Sequence, residues 1–154
     1  MNITINLPVS PAIKKYLTTR LGNNYHLTNN DWFGIIFLNM LENKNNKYYE
    51  FIGKKTTNRI ETFPITISLS MADKNGFIIR AKHETQINKI IDDVFRQDMY
   101  IQALINKKEY GIEYQTSLSN ILDAYDITDE ELTIDSLKRD FIRKRADIES
   151  KLFI

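Results

Sequence analysis

The chain contains no cysteine, only two histidines and no long apolar run, and each absence removes a class of chemistry. Without cysteine there is no disulfide, no thiolate zinc site and no cysteine nucleophile, a composition that fits a reducing compartment. His26 and His83 lie 57 positions apart, with no second histidine near either and no HExxH pattern. Clustered imidazole ligation of a metal is therefore not expected, and both read as surface or boundary residues. The longest apolar run, Trp32 to Leu38, is broken by Gly34 and falls far short of the ~20 residues of a membrane span. The opening MNITINLPVSP lacks the charged and apolar regions of a signal peptide, so an intracellular protein with no membrane partner is the expectation.

Catalytic signatures are missing too. The segment IGKKTT, Ile52 to Thr57, faintly suggests a phosphate-binding loop, but Tyr48 stands where that loop needs a glycine and no helical pattern follows. The adjacent carboxylates Asp92-Asp93 and Glu130-Glu131 would point about 100° apart on a helix, which suits solvated faces better than a general acid and base. Nothing in the chain raises a Ser/His/Asp set above background, although such sets assemble only in space. A non-enzymatic protein without a cofactor is expected.

What is present is an ordinary globular composition: 154 residues, 42% apolar and 27% charged, enough for one domain with a hydrophobic core. The net charge of +1 hides an asymmetry. Residues 1–82 carry 11 Lys and Arg against 5 Asp and Glu, whereas residues 83–154 carry 10 against 15, so the halves stand at +6 and −5. Asp123 to Asp135 holds six carboxylates and no cation. Charge blocks of this kind bear on association rather than fold.

Hydrophobic periodicity outlines the elements. Ile3, Ile5 and Leu7 alternate with polar residues as in a half-buried strand, closed by Pro8. Ser10-Pro11 reads as an N-cap followed by proline at the first helical position, with Ile13, Leu17 and Leu21 on one face and Gly22 as the stop. Asp31 opens WFGIIFLNML, whose length and spacing favour a buried helix over a strand. Three strands are expected next: YYEFI, then FPITISLSM and FIIRA joined as a hairpin through Asn75-Gly76. From Ile87 the period becomes helical, through Ile91, Phe95, Ile101 and Leu104 to a stop near Gly111. A shorter helix follows over Leu118, Ile121, Leu122 and Tyr125 with Thr116 as its cap, and Thr128 with Glu131 fits a capping box. The last helix spans roughly 135–150, with Leu137, Phe141, Ile148 and Leu152 inward. The order β-α-α-β-β-β-α-α-α indicates an α+β fold with helices on one face of a mostly antiparallel sheet. A single domain over 1–154 is expected, and a division into a sheet-containing 1–82 and a helical 83–154 is also compatible with the pattern.

Two stretches are candidates for nucleic-acid contact. NKNNKYYEFIGKKTTNR offers Lys44, Lys47, Lys54, Lys55 and Arg59 against one acid, with Tyr48 among interleaved aromatic rings, and Arg80 and Lys82 could extend the same surface. Cations for phosphates and rings for bases are what a single-strand surface needs, although lysines also protect an edge strand from aggregation. The second stretch, KRDFIRKR from Lys138 to Arg145, has five cations and one acid in eight residues. With Leu137 as origin on a helical wheel, Arg139 and Arg143 fall at about 200° and about 240°, an outward pair, while Lys138, Lys144 and Arg145 flank the apolar face. The competing reading is a solvated face whose cations complement the helix dipole or the acidic block, and DEEL just before the helix would bring carboxylates towards phosphate.

Together, NITINLPVSPAIKKYL and TIDSLKRDFIRKR resemble small accessory proteins of phages and mobile elements. The resemblance implies DNA handling or virion assembly as settings, and the host cytoplasm as location. A nucleic-acid-binding accessory protein is the first expectation, and a protein-interaction or assembly component, self-associating through its oppositely charged halves, is the alternative.

Overall fold

The computed structural model describes residues 1–42 and 59–154. The expected strand YYEFI and the IGKKTT loop lie outside them. The fold is α+β, with five strands and six helices among the described residues. The elements are β1 (Asn2–Val9), α1 (Pro11–Leu21), β2 (Tyr25–His26), α2 (Trp32–Met40), β3 (Leu41–Glu42), β4 (Glu61–Ser68), α3 (Leu69–Asn75), β5 (Ile78–Ile79), α4 (Ala81–Tyr110), α5 (Tyr114–Ala124) and α6 (Ile134–Leu152). They form two compact units, Met1–Ile91 and Asp92–Ile154.

In the first unit β4 is central. It pairs antiparallel with β1 along eight residues, Asn2 opposite Ser68 through Val9 opposite Glu61, and parallel with the short β2. Period-two alternation buries Ile5, Leu7 and Val9 on β1 and Phe63, Ile65 and Ile67 on β4. Pro8 does not end β1, because the strand is at the edge of its sheet and its amide is not required by a second neighbour. α1 begins as its sequence indicates: the Ser10 hydroxyl accepts from Ile13 N at 3.3 Å, and Gly22 closes the helix at φ 88°. WFGIIFLNM is a helix, capped by Asp31, whose Oδ1 accepts from Gly34 N at 2.6 Å. Phe33 of α2 joins Tyr25 and Phe63 in an aromatic cluster with ring centroids 5.5 and 6.1 Å away.

The expected hairpin through Asn75-Gly76 is not formed. Residues 69–75 are helical: the Ser68 hydroxyl caps Met71 N at 3.3 Å, and Gly76, at φ 86°, closes the helix by donating to the Ala72 carbonyl at 2.8 Å. A glycine that tolerates positive φ serves a hairpin turn and a helix terminus equally well, so the dipeptide does not distinguish them. β5 consequently pairs with β3, Leu41 opposite Ile79, rather than with β4.

The second unit is built from α4 beyond Ile91, α5 and α6. Its core contains Phe95, Met99, Tyr100, Ala103 and Leu104 of α4, Leu118 and Leu122 of α5, and Leu137, Phe141 and Ile148 of α6. Gly111 ends α4 at φ 68°. α5 starts two residues before Thr116, with Glu113 at the cap position and no side-chain cap bond. Thr128 and Glu131 do bond, backbone N to Oε1 at 2.9 Å, but on a turn; the cap of α6 is Thr133, whose hydroxyl accepts from Ser136 N at 3.2 Å.

Candidate nucleic-acid interface

α6 presents KRDFIRKR with Leu137 and Phe141 fully buried and with Arg139, Ile142 and Arg143 exposed. Asp140 sits at the margin of the apolar face, 9% exposed, and organises its surroundings. The Tyr100 hydroxyl donates to Asp140 Oδ2 at 2.5 Å, and Lys144 Nζ approaches the same oxygen at 3.1 Å. Arg96 reaches it at 3.5 Å while its Nε holds Asp92 at 2.9 Å. Arg143 donates to Asp140 Oδ1 at 3.1 Å.

One half-buried carboxylate is thus held by a phenol and three cations. Burial alone would raise its pKa, but the Tyr100 and Lys144 hydrogen bonds and the Lys144 and Arg96 charges outweigh that, and the group titrates below the ordinary aspartate value. Tyr100 is shifted upwards, by burial first and then by its bond to the carboxylate. A carboxylate so covered by donors is an anchor for cations rather than a proton acceptor.

The other cations of the stretch are engaged separately. Lys138 donates to Gln115 Oε1 at 2.9 Å; Arg145 pairs with Glu149 at 2.6 Å and lies 4.9 Å from the Tyr114 ring centroid. Arg139 Nε approaches the Asp135 carbonyl at 3.4 Å, and among the described residues it has no carboxylate partner. Beside this face runs an open groove of about 670 Å³ between α4 and α6, with Asp92, Asp93 and Arg96 on one side and Arg139, Arg143 and Lys144 on the other. The acidic turn before α6 is also tied down: Asp129 Oδ1 accepts from Ile134 N at 3.2 Å, and Glu131 is bound to Thr128.

Of the residues expected to contact nucleic acid, Lys44, Lys47, Tyr48, Lys54 and Lys55 lie outside the described residues. Arg59 is half-buried, with NH2 3.4 Å from Thr85 Oγ1. Arg80 is not at the end of a hairpin but between β5 and α4, and its Nε is 2.8 Å from Glu42 Oε1. Lys82 is exposed in the first turn of α4. Arg139 and Arg143 are brought together on α6, both outward. Asp140, Tyr100, Arg96 and Lys144 were not singled out beforehand as a set. The spacing of Asp140 to Arg143 and Lys144, three and four residues on, was the available signal; the contribution of α4 had none.

No group of three His, Asp or Glu side chains suited to a metal ion occurs among the described residues, and none of their helices is long and apolar enough to cross a membrane. No protein-family profile, curated protein or solved structure matches the chain.

Proposed function

We propose that this is a small non-enzymatic nucleic-acid-binding accessory protein, of the kind carried by phages and mobile elements, with α6 as its contact element. The observation that carries the reading is the exposed pair Arg139 and Arg143, one helical turn apart, with Lys144 beside them anchored to a buried carboxylate. Such anchoring restrains long cationic side chains before a ligand arrives, which lowers the ordering cost of binding. The capped acidic turn removes part of the objection that carboxylates would approach phosphate. An electrophoretic shift at low salt tests the reading: retardation of nucleic acid that weakens steeply with added salt supports it, because neutralised phosphates release counterions. Absence of retardation for DNA and RNA, single- or double-stranded, overturns it.

A protein-interaction role is favoured by a different observation. The groove is mixed in sign, and Ile142 beside it is 65% exposed, a combination suited to a polypeptide partner. Light scattering across salt concentrations separates the readings. Self-association that dissolves at high salt supports assembly, and a monomer at every concentration overturns its self-associating form.

A further inference from the structure

The outward face of α6 is more selective than its charge. Taking positions on the helix three and four apart, it consists of Asp135, Arg139, Ile142, Arg143, Ala146 and Ser150, all exposed. Beyond Arg143 the face is made of small side chains, and the flanking acids are neutralised in place, Asp147 by Lys151 at 3.0 Å and Glu149 by Arg145 at 2.6 Å. The opposite face is committed to the core through Leu137, Phe141 and Ile148. At 19 residues and ~1.5 Å per residue the helix is long enough to lie along a nucleic-acid groove.

We infer that the ligand is duplex DNA and that α6 enters its major groove; this rests on the nucleic-acid reading above and narrows it. The B-form major groove admits an α-helix, whereas that of A-form RNA is too narrow and a single strand has none. The side chains match what base edges offer there. Arg139 and Arg143 are suited to guanine O6 and N7, Ile142 to the thymine methyl, and Asp135 to the cytosine amino group. Arg143 uses one guanidinium nitrogen on Asp140, and among the described residues its remaining nitrogens have no partner, so the fork is held yet able to donate outward. Ala146 and Ser150 let the helix axis approach the bases. Asp92 and Asp93 border the face on the α4 side, so the phosphate strands pass away from that side.

The test compares mixed-sequence duplex DNA, single-stranded DNA of the same length and duplex RNA by fluorescence anisotropy at low salt. Duplex DNA is expected to bind tightest, by about tenfold or more. Methylating guanine N7, in the major groove, should weaken binding, and a minor-groove drug should not. Ala146→Leu adds bulk without charge on an exposed site; it should weaken DNA binding with an unchanged salt slope. Single-stranded DNA or duplex RNA bound as well as duplex DNA would overturn the inference while the broader reading stands, and so would Ala146→Leu binding like the unsubstituted protein. No binding to any of the three nucleic acids overturns both.

Discussion

Tyr100 on α4 donates its hydroxyl to Asp140 on α6 at 2.5 Å, joining two helices 40 positions apart in sequence through one buried contact. The bond covers a carboxylate that also carries Arg96, Arg143 and Lys144, so its loss should be felt in stability. Tyr100→Phe keeps the ring against Phe141, at 5.3 Å between centroids, and removes only the donor. A loss of about 1.5–3 kcal/mol is expected for a hydrogen bond to a charged group, read from the urea midpoint. An unchanged midpoint would show that the hydroxyl contributes nothing.

The same carboxylate makes stability pH-dependent. Its folded pKa lies below the unfolded one, so its contribution is fully present above the ordinary aspartate range and is lost as pH falls through the lowered value. The protein should lose stability between about pH 5 and about pH 2, and Asp140→Asn should show a shallower decline over that window. Equal declines in urea melts would assign the acid sensitivity to other groups.

Gly34 marks a close approach. A Cβ there would lie 1.7 Å from the Thr28 carbonyl oxygen and 2.8 Å from the Tyr25 hydroxyl oxygen, so α2 cannot keep its place with any side chain at this position. Gly34→Ala should cost about 3 kcal/mol or more, seen as a fall in Tm. A Tm within a degree or so of the unsubstituted protein would contradict that packing.

The helical state of residues 69–75 can be checked at its cap. Ser68→Ala removes the acceptor for Met71 N and should cost about 1 kcal/mol, whereas a strand continuing through Leu69 would lose no cap. Amide exchange of residues 71–75 should quicken in the variant. Unaltered exchange there would argue against the helix.

Replacing both Arg139 and Arg143 by Ala should weaken nucleic-acid binding and, if each neutralises one phosphate, lower the salt slope by about two. Because both side chains are exposed, folding by circular dichroism should be retained. A variant with unchanged affinity would place the contact elsewhere.

Local signals were legible wherever one residue's chemistry had a single outlet. Ser10-Pro11 and Gly22 marked both ends of α1, Gly111 ended α4, and the Leu137, Phe141, Ile148 spacing identified the buried side of α6. The outward direction of Arg139 and Arg143 followed from the same wheel. Thr116 and the Thr128–Glu131 pair misled because capping residues also stabilise turns and occur inside helices. Asn75-Gly76 misled because positive φ has two uses.

The sequence by itself determined the α+β class, the main helical faces and the sparse repertoire of reactive groups, since periodicity and composition are properties of neighbours along the chain. Only the tertiary structure decided that Asp140 would be the centre of KRDFIRKR rather than its one exception. That depended on Tyr100 and Arg96 arriving from another helix, and a buried carboxylate is stable only when donors from every side are in place at once.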